Sequence, residues 1–106
     1  MPTDIDGFID YGGNAFVYLE GKVEGQDLSM GQRIALERVV RSHWKANHPT
    51  IAIVYEHNIP YYEEVMVHEC LVTKVYGRLN GGQFGWKEIL TQNVTEIIER
   101  FENAYL

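Results

Sequence analysis

Two carboxylates and one ammonium, Asp6, Glu20 and Lys22, stand at the outer ends of two apolar runs in the stretch DGFIDYGGNAFVYLEGKVEG, Asp6 to Gly25. The runs are rich in Ile, Phe, Val and Tyr, and Gly12-Gly13-Asn14 between them tolerates positive φ, a pattern that predicts a β-hairpin. With the turn centred there, facing residues of the antiparallel strands have numbers that sum to about 26 or 27, so Glu20 faces Asp6 or Gly7. Side chains alternate along a strand, which puts Phe16, Tyr18, Glu20 and Lys22 on one face and brings Asp6, Glu20 and Lys22 together at the open end of the hairpin. Two carboxylates within reach of each other repel, which favours a divalent cation between them. A lysine beside them can orient or deprotonate a water and steady negative charge as it develops on a phosphate.

The same register separates Asp6 from the other acids. Asp10 faces Phe16 or Val17, three or four residues from Glu20, which at roughly 3.4 Å per residue is about 10 to 14 Å. One cation with oxygen ligands at about 2.0 to 2.6 Å does not bridge that gap. Asp4 lies beyond the paired end of the hairpin. The plainer role for Glu20 and Lys22 is the solvent face of an edge strand, but Phe16 and Tyr18 share that face and would be exposed with them.

The elements that must hold these residues follow from periodicity. After the hairpin, GQDLSMGQRIALERVVRSHWKA switches to helical spacing, with Ser29 as N-cap and Asn47-His48-Pro49 as the stop. TIAIVYEH is a short β-branched run, as expected of a central strand buried on both faces. VMVHECLVTKVYGRL reads as one long strand, broken by Asn80-Gly81-Gly82 and Gly85. WKEILTQNVTEIIERF reads as a closing helix whose apolar face carries Ile89, Leu90, Val94, Ile97, Ile98 and Phe101. The expected order is ββαββα or ββαβα: an α/β domain over residues 1–106, with a mixed sheet of four or five strands flanked by two helices.

Asp6, a strand, a turn and a second strand ending in Glu20-Gly21-Lys22 resemble the D...(D/E)-x-K signature of the PD-(D/E)XK nuclease superfamily. The continuation through the Ser cap, a helix with an early Gln and an apolar strand is similar to its small VRR-NUC and Holliday-junction-resolvase-like members, over Asp6 to Glu56. The resemblance implies a minimal restriction-endonuclease-like core, with Asp6, Glu20 and the Gly21 carbonyl as ligands of Mg²⁺, for which Mn²⁺ can substitute. It assigns Lys22 to orient the attacking water and makes Gln32 an accessory helix residue. The residue between acid and lysine is usually apolar and here is glycine. Five residues precede Asp6, so the C-terminal elements, or a second subunit, are expected to stand where the family has an earlier helix and strand.

Other residues carry weaker signals. Gln32 is three residues after Ser29, the spacing of a capping box, and it also falls on the helical face of Leu36, Val39, His43 and Ala46 that should meet the sheet. Arg38, Arg41 and Lys45 lie on the opposite face and read as solvated, with phosphate contact as the alternative. His57, His68 and Cys70 lack the fourth ligand and the spacing of a zinc site, and His43 and His68 are expected in or near the core. Tyr61, Tyr62 and Trp86 read as packing residues, and Glu24 as a further ligand or a surface acid.

The 106 residues, 45% apolar and 23% charged, are the composition of one ordinary globular domain. No apolar run approaches the roughly 20 residues a bilayer requires, and a single cysteine fits a reducing, cytoplasmic setting without internal disulfides. The net charge of −6 counts against nucleic-acid binding by a free monomer unless metal ions neutralise the acids or an oligomer supplies basic surface. The expected function is therefore metal-dependent hydrolysis of DNA phosphodiester bonds by a homo-oligomer, of a size that suits a phage or mobile-element enzyme. The alternative is a non-catalytic acidic domain that binds a protein partner as an inhibitor or assembly factor.

Overall fold

The computed structural model describes residues 5–58 and 65–106; Asp4, Tyr61 and Tyr62 lie outside them. The elements in order are β1 (Gly7–Asp10), β2 (Phe16–Val23), α1 (Met30–Lys45), β3 (Thr50–His57), β4 (Leu71–Arg78), β5 (Phe84–Glu88) and α2 (Val94–Tyr105). The strands form one sheet in chain order, β1-β2-β3-β4-β5, so the domain is α/β with a mixed five-stranded sheet and two helices. β1 and β2, β3 and β4, and β4 and β5 pair antiparallel; β2 and β3, joined through α1, pair parallel, as a helical crossover requires.

Both hairpin turns are built alike. Tyr11 N–H donates to Ala15 C=O across Gly12 and Gly13, and Leu79 N–H donates to Gln83 C=O across Gly81 and Gly82. Those four glycines have φ between 65° and 90°, a region that costs residues with a Cβ. In the first turn the Asp10 carboxylate accepts the Gly13 N–H at 2.6 Å. The first hairpin register sums to 26, with Gly7 opposite Leu19 and Asp10 opposite Phe16. Asp10 is thus committed to the turn, at the far end of β1 from Asp6.

The two helices cover opposite faces of the sheet. On one side Leu36 and Val40 of α1 pack on Ala52, Val54 and Tyr76. On the other Val94, Ile97 and Phe101 of α2 pack on Val17, Ile53, Tyr55 and Val72. β3 is central and almost wholly buried, as its composition requires. α1 begins at Ser29 with a complete capping box. It ends with Asn47 at φ 65°, and His48 N–H and Asn47 N–H bonded back to His43 and Trp44 carbonyls, a full Schellman closure.

Two expected elements differ. The long strand begins only at Leu71, because Val67–Glu69 forms a short 3₁₀ turn ahead of it. The closing helix begins at Val94, not Trp86: Phe84–Glu88 pairs with β4 as a fifth strand, so the order is ββαβββα. The physical reason is local. Asn93 accepts Glu96 N–H at 2.9 Å while the Glu96 side chain accepts Asn93 N–H at 3.1 Å, a capping box that starts the helix there. Leu90, expected on the apolar helical face, is exposed, whereas Val94, Ile97 and Phe101 are buried.

Asn93→Ala distinguishes the two helix starts by sign. As an N-cap, Asn93 contributes about 1 kcal/mol, and the variant should unfold at lower urea concentration. At an interior position of a helix begun at Trp86, alanine would instead stabilise.

Candidate active site

β2 is an inner strand, paired with β1 on one side and β3 on the other, and Glu20 is 3% exposed. That overturns the solvated edge strand as an explanation of Glu20. The face it shares with Phe16 and Tyr18 is closed by α1: the Phe16 ring stacks on His43 at 4.0 Å, and Tyr18 Oη is 2.7 Å from His43 Nε2.

Asp6 stands one residue before β1, on the continuation of the register that sets Gly7 opposite Leu19. It is locked to the end of β2 crosswise. Its N–H donates to Glu20 Oε2 at 3.3 Å, and its own Oδ2 accepts the Gly21 N–H at 2.7 Å. Gln32, in the first turn of α1, supplies the third contact, its Nε2 donating to Glu20 Oε1 at 3.0 Å. The same amide closes the capping box through Oε1, which accepts the Ser29 N–H at 3.0 Å. The capping and site roles expected of Gln32 therefore coexist in one side chain.

Burial holds the Glu20 carboxyl above the usual carboxylate range, and the nearby Asp6 charge pushes it further; the Asp6 N–H and the Lys22 charge pull the other way. Lys22 follows two residues along the same face, with Glu56 of β3 as its register partner. Among the described residues it forms no ion pair with a carboxylate. Asp6, Glu20, Lys22 and Gln32 thus gather at one end of the sheet, and Asp10 does not. Glu24 is exposed beyond the strand end.

Gly21 has a packing reason to be glycine. A Cβ there would come within 2.7 Å of the Tyr55 ring and hydroxyl, which lie over it on the α2 side of the sheet. The strand runs unbroken through Gly21. Because one strand residue points its N–H and C=O to the same side, the Gly21 carbonyl shares the edge where its N–H meets Asp6. Burial raises the Tyr55 hydroxyl pKa to about 12, with Asp6, Cys70 and Glu20 adding to it.

The oxygens assembled here suit a hard divalent cation: two carboxylates that each retain free lone pairs and a backbone carbonyl at the same edge. Among the described residues no three His, Cys, Asp or Glu side chains gather around one point, so a cation would draw on that carbonyl and on water to fill its shell.

Two neighbours escaped the sequence reading. Lys74 of β4 lies in the same cross-sheet row as Glu20, through Val54, and its Nζ is 2.7 Å from Asp27 Oδ1 in the loop leading to the Ser29 cap. Tyr55 is the other. Both depend on the β3–β4 pairing, whose register shifts between Val54 and Tyr55, and no local pattern in the sequence announces that bulge. Two expectations are corrected. His68 is largely exposed, 3.6 Å from Glu69, because the 3₁₀ turn points it outward. Arg41 is not simply solvated: its Nε donates to Tyr76 Oη at 2.7 Å, the long side chain reaching from the helix flank onto β4.

Compared with family models, with curated proteins and with solved structures, the chain returns no match.

Two outcomes test this arrangement. The raised Glu20 pKa means that the native state binds the proton more tightly than the unfolded chain, so ionised Glu20 costs stability above its native pKa and nothing below the ordinary carboxylate range. The melting temperature of Glu20→Gln relative to the wild type should therefore rise as the pH is raised from 4 to 8 in thermal scans. Gly21→Ala should cost about 1–3 kcal/mol in urea unfolding, since the Tyr55 ring must move.

Proposed function

We propose that this protein is a metal-dependent DNA endonuclease of the PD-(D/E)XK type. The observation that carries the reading is the buried Glu20, held between the Asp6 backbone and the Gln32 amide, with Asp6 and Lys22 beside it. Burying a carboxylate next to a second one is unfavourable for folding alone, which supports a functional reason for keeping it.

In this reading Asp6, Glu20 and the Gly21 carbonyl hold Mg²⁺ or Mn²⁺. Such a cation, when bound, neutralises the two acids and polarises a phosphoryl oxygen. Gln32 fixes the Glu20 rotamer from the helix, and the Gly21 N–H fixes Asp6. Lys22 orients the attacking water and offsets charge growing on the phosphate. Duplex or branched DNA is the substrate class, and a second copy of the chain, which would extend the basic surface available to DNA, belongs to the same proposal. The rival, an acidic domain that binds a protein partner without catalysis, draws its support from the net charge of −6.

Four variants separate these readings in plasmid nicking and in the melting-temperature rise on adding Mg²⁺. Lys22→Ala should lower nicking by about 10²- to 10⁴-fold, the range of a proton-transfer group, and keep the melting rise. Asp6→Asn and Glu20→Gln should lose both. Asp10→Asn should keep both if the turn remains closed. A wild-type protein that neither nicks DNA nor melts higher with Mg²⁺ or Mn²⁺ would favour the rival.

A further inference from the structure

Away from the candidate active site, the C-terminal half of α1 and the β4–β5 hairpin enclose an open groove lined by Arg41, Trp44, Lys45, Arg78, Gly82 and Phe84. We propose that this groove binds a segment of single-stranded nucleic acid, its phosphates on the three cations and a base against the half-buried Phe84 side chain that lines it.

The charge pattern is the first support. The chain has 15 acidic and nine basic residues, net −6, yet this groove is lined by three cations and no acid. Among the described residues none of the three pairs with a carboxylate. Two other cations near the same face are paired instead, Arg33 with Glu37 and Lys74 with Asp27. A local reversal of the overall sign concentrates counter-charge where it stands, and phosphates are the common polyanionic match.

Aromatic interleaving is the second support, and it favours a nucleic acid over an acidic peptide. β4 and β5 alternate so that Tyr76, Arg78, Phe84 and Trp86 share the face toward α1. The Arg41 guanidinium lies 5.9 Å from the Tyr76 ring centre and 5.8 Å from that of Phe84, and Arg78 lies 5.3 Å from that of Trp44. These contacts, with the Arg41 bond to Tyr76 Oη and that of Arg78 Nε to Gly82 C=O at 3.2 Å, hold both guanidinium groups in place ahead of binding. Flat cations set among rings are the chemistry on which unpaired bases stack while their phosphates are neutralised.

The site is independent of hydrolysis and can be read without it. The probe is a 5′-labelled 12-mer of thymidylate in EDTA, followed by fluorescence anisotropy as salt is varied. Lys45→Glu/Arg78→Glu should weaken binding at least tenfold at fixed salt and flatten the log–log salt slope by about 1.4, two contacts at roughly 0.7 each for a single strand. Phe84→Leu should weaken binding about threefold to tenfold, the cost of losing a stacking platform, with the slope unchanged. Arg38→Glu/Lys87→Glu changes the net charge equally outside the groove and should stay within twofold of the wild type, with matching circular dichroism for every variant. The inference fails if the wild type does not bind, if the control pair loses as much as the groove pair, or if polyglutamate or a free nucleoside triphosphate competes as well as unlabelled oligonucleotide at equal charge. A protein that binds but never nicks DNA would sink the endonuclease reading and leave this one standing; one that nicks while the groove pair binds as the wild type does would do the reverse.

Discussion

One amide ties the candidate site to the fold. The Gln32 oxygen closes the α1 capping box and its nitrogen holds Glu20, so the start of the helix and the rotamer of a buried acid are set by the same group. The loop from Glu24 to Ser29 must deliver Gln32 to that spot, and Lys74, clasping Asp27, anchors the loop to β4. The parallel pairing of β2 with β3 then follows: a helix that begins at the end of β2 and returns along the sheet brings β3 alongside in the same direction.

A carboxylate at this position is costly by itself. Glu20 has lost nearly all contact with water, and its two recorded donors are neutral N–H groups, which compensate a charge less well than a cation does. Asp6 adds repulsion. Packing alone would be served by an apolar residue on the α1 side of β2. The sheet instead accepts the cost, and it spends glycine at position 21 to let Tyr55 lie across the strand. Stability sacrificed at one point of an otherwise well-satisfied structure is the usual physical mark of a functional site.

The legible parts of the sequence were those governed by local rules. The first hairpin register followed from the Gly-Gly turn and alternation, and so did the opposition of Asp6 and Glu20. Ser29 and Asn47-His48-Pro49 marked the two ends of α1. The same rules were available at Asn80-Gly81-Gly82, which forms a turn of the same kind, but the apolar spacing from Ile89 to Phe101 fitted a helical face and hid the five-residue strand before it. Asn93 and Glu96 held the correction, a capping box three residues apart. Beyond local rules lay the β3–β4 bulge, and with it Lys74, Tyr55 and the cations that face α1 across the sheet. Their neighbours are set by pairing between distant segments, and no spacing within either segment encodes it.

β1 has four residues, and it is bonded along one side only, at the rim of the sheet. Glu20 sits on an inner strand that cannot loosen without unmaking the core, whereas Asp6 stands just outside a four-residue strand at the rim. The two acids therefore have unequal permanence. Opening a few terminal hydrogen bonds separates them at a fraction of the global unfolding free energy, and anything that bridges them must also supply the work of keeping that rim closed. A bound cation would thus act as a latch, recorded as slower exchange of the β1 amide protons with solvent, while those of β2 and β3 hardly change.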